Sequence, residues 1–168
     1  MSLNVCANVG FSCSGVSVMN SNPRLNILLV DDDHNDAALF GIAIDKSDLN
    51  IWLQTVTDGG VAMDYLEGRG DYVDRSLHPV PDLVVLDLDM RLTGGLEFLE
   101  WRRASPVFCT LPVVIFSGFA YKGAIDTALA LGARTFIPKP AEFEGWQTIV
   151  HQIWAIGLEN FHDAHVVI

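Results

Sequence analysis

The chain has 168 residues, half of them apolar, and its 21 acidic and 10 basic residues give a formal net charge of −11. This length fits one domain with its own hydrophobic core, and no uninterrupted apolar run approaches the roughly 18 residues of a membrane span. The acidic balance argues against nucleic acid as a direct partner, because clustered Lys and Arg are needed to bind phosphate backbones.

The N-terminal segment and the cysteines bear on location. Residues 1–24 are rich in Ser, Asn and Gly and carry a single charge, at Arg24. They lack the basic start and apolar stretch of a signal peptide, so we expect a mobile leader. Cys6, Cys13 and Cys109 are odd in number and lack Cys-x-x-Cys spacing, which favours reduced thiols in the cytoplasm over a metal site or disulfides.

After the leader, strand-like and helix-like segments alternate. A strand is predicted at Leu25–Val30, a helix near Asn35–Asp45 and a second strand at about Ile51–Val56. Asp58 could cap a short second helix. The long connection from Gly68 to Pro81 contains several Gly and Pro residues and is predicted to lie on the surface.

The same alternation continues to the end of the chain. Gly132 is predicted to end the fourth helix, and Pro138, which lacks a backbone donor, places the fifth strand at a sheet edge. The predicted strands are Asp82–Leu86, Pro112–Phe116 and Thr135–Ile137. The predicted helices are one that follows Gly94-Gly95, with Leu96, Leu99 and Arg103 on one stripe, and those at Ala124–Leu131 and about Phe143–Ile156.

Five such strand–helix repeats predict a doubly wound α/β fold, with a parallel sheet, right-handed crossovers and helices on both faces. The predicted domain spans residues 25–157, between the leader at 1–24 and a C-terminal tail at 158–168.

The predicted strands end in reactive side chains. Asp31-Asp32-Asp33 follows the first strand, and Asp87, Ser117 and Lys139 follow the third, fourth and fifth strands. Ligands bind at the carboxyl ends of the strands in open parallel sheets. We therefore expect these groups to share one edge, although each alone could be a turn residue, a loop residue or a solvated lysine, and Asp33 is expected to start the first helix.

The grouped residue types favour phosphoryl chemistry. Carboxylates that lie close together need a cation, and Mg²⁺ accepts one or two carboxylates together with phosphate oxygens. Lys139 would add a positive charge and Ser117 a hydroxyl donor. Asp87 would then be the nucleophile that forms an aspartyl phosphate.

These residues resemble the receiver domain of two-component response regulators, over about Asn26 to Ile156. The matching positions are the acidic pair Asp31 and Asp32, the phosphoacceptor Asp87, Gly95, Ser117, and the pair Lys139-Pro140. The resemblance implies a flavodoxin-like five-stranded sheet in the order 2-1-3-4-5.

The resemblance also implies roles at the site. Asp32 and Asp87 would bind Mg²⁺ directly, Asp31 through water, and Asp89 through its main-chain carbonyl. Phe136 would be the aromatic switch residue, moving inward as Ser117 closes on the phosphoryl group and changing the face made by helix four, strand five and helix five. The Lys139-Pro140 bond would be cis, as is usual in the family.

Two positions depart from the family pattern. Arg91 stands where the family usually has Pro, which suggests a less rigid loop, and Asp89 replaces the more usual Asn. The Asp89 carboxylate could repel phosphoryl oxygens or orient water, so the lifetime of the phosphorylated form is left open.

The expected partner is a sensor histidine kinase. The tail at 158–168 is too short for an output domain, so we expect a stand-alone regulator. The length of the segment Glu67–Pro81 resembles that in stand-alone regulators paired with phytochrome-type kinases. The last helix has an unusually broad apolar surface. It is either deeply packed on the sheet or an extra face for kinase docking or a homodimer.

Two other functions compete with this interpretation. Asp87-Leu-Asp89 resembles the Asp-x-Asp pair of haloacid-dehalogenase-type phosphatases, but no acidic pair follows Lys139 at a strand end, where that family has its metal ligands. A pseudo-receiver, an interaction module without phosphoryl chemistry, is the other alternative, and the complete set of Asp, Ser and Lys positions argues against it.

Overall fold

A computed structural model describes residues 23–92, 94–118 and 121–164. Five parallel strands form one sheet in the order β2-β1-β3-β4-β5, which confirms the predicted doubly wound, flavodoxin-like fold. The strands are β1 Leu25–Val30, β2 Ile51–Val56, β3 Leu83–Leu86, β4 Val113–Ser117 and β5 Thr135–Pro138, and the helices are α1 His34–Asp45, α2 Gly59–Glu67, α3 Gly95–Ala104, α4 Lys122–Ala130 and α5 Phe143–Ala164.

The sheet divides the apolar residues into two cores. Alternate residues of the central strands point to opposite faces, so that Leu29 and Val85 join the core beneath α1 and α5, whereas Val30 and Val84 join the core beneath α2, α3 and α4. All four β3 residues are buried, and strands covered on both faces explain the continuous apolar runs in the sequence.

The helix ends follow the predicted capping residues. The side chains of Asp33 and Asp58 accept hydrogen bonds from backbone N–H groups in the first turns of α1 and α2. Gly68 and Gly132 lie just beyond α2 and α4 with φ of 67° and 96°, a left-handed backbone that glycine adopts without strain.

The buried face of α3 differs from the prediction. Phe98, Leu99 and Arg102 are buried, whereas Arg103 is exposed. The guanidinium of Arg102 donates hydrogen bonds to the main-chain carbonyls of Leu111 and Gly132, so a buried arginine joins two loops that lie far apart in sequence. The predicted stripe was right for Leu99, which is buried, and for Leu96, which packs against the same core, and wrong for Arg103. Backbone acceptors, which no apolar pattern shows, satisfy the charge of the buried Arg102.

The last helix is longer than predicted and continues to Ala164, into the expected tail. The helix was predicted to end near Ile156, but Gly157 lies inside it. A Cβ atom there would lie 2.5 Å from Cδ2 of Leu25, so glycine permits close packing of α5 on β1. The leader falls largely outside the described residues.

The broad apolar surface of α5 is mostly packed inside the molecule. Trp146, Ile149, Val150, Ile153 and Trp154 are all at least 91% buried and belong to the core beneath α1 and α5. Packing within the chain therefore explains why these five positions are apolar. Over the described part of the chain, no helix is long and apolar enough to cross a membrane.

The connection between α2 and β3 lies on the surface, as predicted, but it is held in place. It contains a 3₁₀ turn at Gly70–Tyr72. The guanidinium of Arg75 donates to the carbonyls of Tyr65, Leu66 and His78, which satisfies acceptors at the end of α2.

Candidate functional site

The strand register brings the loops after β1, β3, β4 and β5 to one edge of the sheet. Val30 is aligned with Leu86, and Ser117 with Pro138. Backbone hydrogen bonds continue past the strand ends, from Asp87 N to the Val30 carbonyl at 2.9 Å and from Lys139 N to the Ser117 carbonyl at 3.2 Å. The predicted convergence of these loops is therefore present in the structure.

The Lys139 ammonium is the centre of the site. Its Nζ lies 2.8 Å from a carboxylate oxygen of each of Asp31, Asp36 and Asp87, and its side chain is only 10% exposed. Burial alone would lower the pKa of Lys139, but the hydrogen bonds to the three carboxylates outweigh burial and raise the pKa well above its usual value. The ammonium is therefore charged at neutral pH.

Asp36 is a site residue that the sequence interpretation missed. It lies in the first turn of α1, three positions after the capping Asp33. Residues three apart share one helix face, so its position in the turn that follows the acidic run was a usable signal. Its carboxylate supplies the third negative charge at Lys139.

Asp31 and Asp87 are buried carboxylates with fixed orientations. Asp31 Oδ1 accepts a hydrogen bond from Asp33 N at 2.9 Å, and Asp87 Oδ1 accepts one from Asp89 N at 3.0 Å. Burial raises the pKa of Asp31 although Lys139 opposes that shift. The site thus holds negative charge at an energetic cost, which a cation would relieve.

The loop after β3 is held close to α3 at Gly95. A Cβ atom on Gly95 would lie 2.5 Å from the carbonyl oxygen of Asp87 and 3.1 Å from Cα of Leu88. Both of these are backbone atoms, so the loop can approach the helix this closely only because residue 95 is glycine. The position of Asp87 therefore depends on Gly95.

Ser117 presents a buried hydroxyl. Its side chain is fully buried, and its Oγ has no hydrogen-bond partner among the described residues. Buried polar atoms are normally satisfied, so this hydroxyl has the capacity to donate to an oxygen that enters the site. Phe136 is partly buried against the core beneath α2, α3 and α4.

Asp32 lies at the solvent side of the site. Its side chain is 23% exposed, and its Oδ2 accepts a hydrogen bond from Nε of Arg91 at 3.1 Å. Arg91, which was expected to loosen its loop, therefore contacts an expected cation ligand. The Asp89 side chain is exposed.

The donor atoms at this edge suit a hard divalent cation. Asp31, Asp32 and Asp87 offer carboxylate oxygens, the ligand type that Mg²⁺ prefers. However, no three Asp, Glu, His or Cys side chains of the described residues are grouped as a ready ligand set. Such a cation would need main-chain and water ligands as well.

One expectation about the backbone was wrong. No described peptide bond is cis, so the Lys139–Pro140 bond is trans. The trans form is favoured by about 0.5–1 kcal/mol at bonds that precede proline. The Lys139 ammonium reaches the site with this trans bond.

This combination of fold and site is that of receiver domains, the class that the strand-end residues resemble. The sequence profile of the response regulator receiver domain family matches residues 27–151. The chain therefore belongs to that family.

Two curated relatives differ in how much of their length this chain covers. Response regulator Rcp1 of Synechocystis sp. is 27% identical over 140 residues, which are 83% of this chain and 93% of Rcp1. The protein-glutamate methylesterase/protein-glutamine glutaminase of Trichodesmium erythraeum is 34% identical over 134 residues, which are 78% of this chain and 34% of the relative. The chain thus spans about a third of the methylesterase and nearly all of Rcp1.

Solved structures give the same assignment. The phosphorylated cyanobacterial phytochrome response regulator RcpA aligns with a TM-score of 0.73 and 30% identity, covering 81% of this chain and 95% of that chain. The Mn²⁺-bound form of Rcp1 aligns with a TM-score of 0.67 and 26% identity, covering 77% of this chain and 91% of that chain. The similarity to stand-alone phytochrome response regulators extends over most of each chain.

Proposed function

We propose that this chain is a single-domain response regulator that accepts a phosphoryl group on Asp87 from a sensor histidine kinase, with Mg²⁺ as cofactor. The observation that carries the proposal is the contact between Lys139 and Asp87. Its distance of 2.8 Å places an ammonium against a 5% exposed carboxylate at the carboxyl edge of the sheet.

A carboxylate oxygen of Asp87 attacks the phosphorus of the donor, and the bond between the phosphorus and the donor breaks as the new P–O bond forms. The Lys139 ammonium neutralises negative charge on the phosphoryl oxygens, and the free Ser117 hydroxyl donates to one of them. These groups supply positioning and charge compensation, on which catalysis of phosphoryl transfer largely depends.

Asp32, Asp87, the Asp89 carbonyl and, through water, Asp31 would hold the cation. Bound Mg²⁺ would supply the positive charge that offsets the phosphoryl oxygens and the crowded carboxylates. The chemical type of these donors supports this assignment. Burial raises the pKa of Asp31, and a nearby cation would offset the cost of keeping that carboxylate ionised.

The phosphorylated state would signal through α4, β5 and α5. Ser117 and Phe136 lie on the adjacent strands β4 and β5, so movement of Ser117 toward the phosphoryl group could open space for the Phe136 ring. That ring is partly buried against the core beneath α2, α3 and α4, on the same side of the sheet as α4. The remodelled surface would then be recognised by the next protein in the pathway.

The kinase is proposed to be phytochrome-type and the location cytoplasmic. Support for this pairing is the match along most of RcpA, whose structure is described as that of a phytochrome response regulator. A homodimer remains a hypothesis that the buried face of α5 does not support. Sedimentation at several concentrations, with and without a phosphoryl mimic, would decide it, and monomer throughout would count against it.

Incubation with acetyl phosphate and Mg²⁺ tests the proposed acceptor by intact-mass measurement. The native chain should gain one phosphoryl group, and Asp87→Asn should gain none because the nucleophilic oxygen is lost. Asp89→Asn is the matched control, since it removes a neighbouring exposed carboxylate and should still be labelled. Labelling of Asp87→Asn would place the acceptor elsewhere.

The same preparation separates the alternatives. A haloacid-dehalogenase-type phosphatase would turn over a small phosphate ester, whereas a receiver should show no turnover. A pseudo-receiver would gain no phosphoryl group from acetyl phosphate under any cation condition. The family assignment already argues against the phosphatase.

A further inference from the structure

The Arg91 guanidinium is hydrogen-bonded to the Asp32 carboxylate, which the proposed function assigns as a ligand of the cation. Its Nε lies 3.1 Å from Oδ2 of Asp32, across 59 positions of sequence. The two residues come from the loops after β3 and β1, which meet at the carboxyl edge of the sheet. Arg91, which stands where the family usually has Pro, is thus in contact with an expected ligand of the cation.

We propose that Arg91 competes with the divalent cation for Asp32, so that cation binding exchanges a guanidinium for a metal ion. This inference rests on the proposed function, because it takes Asp32 as a cation ligand. It assigns Arg91 a role in setting cation affinity, with no part in the transfer chemistry.

The charges around the site explain why such an exchange is feasible. Four carboxylates, those of Asp31, Asp32, Asp36 and Asp87, contact two cationic side chains, Lys139 and Arg91. Four negative and two positive charges leave a formal charge of −2, which one divalent cation would balance. The site is therefore suited to gain a cation but has each expected ligand carboxylate already paired.

The two cationic side chains differ in how readily they can leave. Lys139 is 10% exposed and held by three carboxylates, whereas Arg91 is 88% exposed and contacts one. An exposed ion pair is worth only about 0.2–1 kcal/mol, so the Arg91 side chain can move into solvent at little cost. The incoming cation should therefore displace Arg91 and leave Lys139 in place.

Displacement has a predictable effect on affinity. Because the cation must break the Arg91–Asp32 ion pair, its binding is weakened by the amount that this pair stabilises the cation-free protein. For a surface pair this corresponds to roughly a 1.4- to fivefold change in dissociation constant. Phosphorylation of this receiver would then need a higher Mg²⁺ concentration than phosphorylation of a variant that lacks Arg91.

Isothermal titration with Mg²⁺ alone tests the competition. Arg91→Gln should bind Mg²⁺ about 1.4- to fivefold more tightly than the native chain at low ionic strength. Arg103→Gln is the matched control, because it removes the same charge from an exposed position on α3 and should leave affinity unchanged. Equal or weaker binding by Arg91→Gln would overturn the inference.

Two further results separate the possible failures. In the native chain, the chemical shift of the Arg91 Nε–H should change toward that of a solvent-exposed guanidinium as Mg²⁺ saturates the site. An unchanged chemical shift would also overturn the inference. If neither the native chain nor Arg91→Gln binds Mg²⁺, the inference and the cation part of the proposed function both fail. If the native chain and Arg91→Gln bind Mg²⁺ with equal affinity, the proposed function still holds and only the proposed role of Arg91 is rejected.

Discussion

Lys139→Ala should lower the free energy of unfolding by about 3 kcal/mol at neutral pH and low ionic strength without divalent cations. Three carboxylates each lie 2.8 Å from the Lys139 ammonium, and the substitution removes the counter-charge that they share. Removing one partner of a buried ion pair typically costs this much, because the remaining charge stays in a poorly solvated position. Urea unfolding measures the difference.

Lys122→Ala is the matched control, since Lys122 is an exposed residue at the start of α4 and its loss should change stability by less than about 0.5 kcal/mol. Adding Mg²⁺ should restore part of the stability of Lys139→Ala, because a ligand that binds the folded state stabilises it. A loss no larger than that of the control would contradict the assigned charge balance.

The direction of the Lys139 pKa adds a pH dependence. Its pKa is raised in the folded chain, so its contribution to stability is complete below the unfolded value and is lost as pH rises through the higher folded value. The native chain and Lys139→Ala should therefore differ by a constant amount through neutral pH and converge only in strongly alkaline solution.

Gly95→Ala should destabilise the fold by about 1–3 kcal/mol and slow phosphorylation of Asp87. The new Cβ would lie 2.5 Å from the carbonyl oxygen of Asp87, so α3 and the loop after β3 must separate. Overpacking against backbone costs energy of this order because no side chain can rotate away. Urea unfolding and the rate of labelling by acetyl phosphate measure the two effects.

Gly94→Ser tests the neighbouring glycine. Gly94 precedes α3 with a φ of −71°, and no atom lies within 4 Å of the position its Cβ would take. Serine is also a favourable residue at the start of a helix, so stability should be unchanged or slightly higher. Equal effects of the two substitutions would show that close packing at Gly95 is not what positions the loop.

The fold was predictable because its central strands are short, continuous apolar runs. Each is covered on both faces, and parallel strands deliver their following loops to one edge. For that reason the sequence alone predicts that Asp31, Asp87, Ser117 and Lys139 lie together. The edge position of β5 also followed from one residue, Pro138.

The features that the sequence did not predict depend on particular side-chain directions. The contact of Arg91 with Asp32 joins residues whose proximity no local pattern encodes. The helical spacing placed Asp36 near the acidic run, but only the direction of its side chain brings its carboxylate to Lys139. Arg102 is buried because backbone carbonyls from two distant loops accept its hydrogen bonds. Gly157 continues α5 because a glycine can pack on Leu25.

The measurement that tests the account most directly is ¹⁹F NMR of beryllium trifluoride, a phosphoryl mimic, bound to the chain with Mg²⁺. If the strand-end residues form one phosphoryl site, a bound fluorine signal should appear in the native chain, vanish in Asp87→Asn and require the cation. A bound signal that persists in Asp87→Asn, or that forms fully after the divalent cation is removed, would contradict the account.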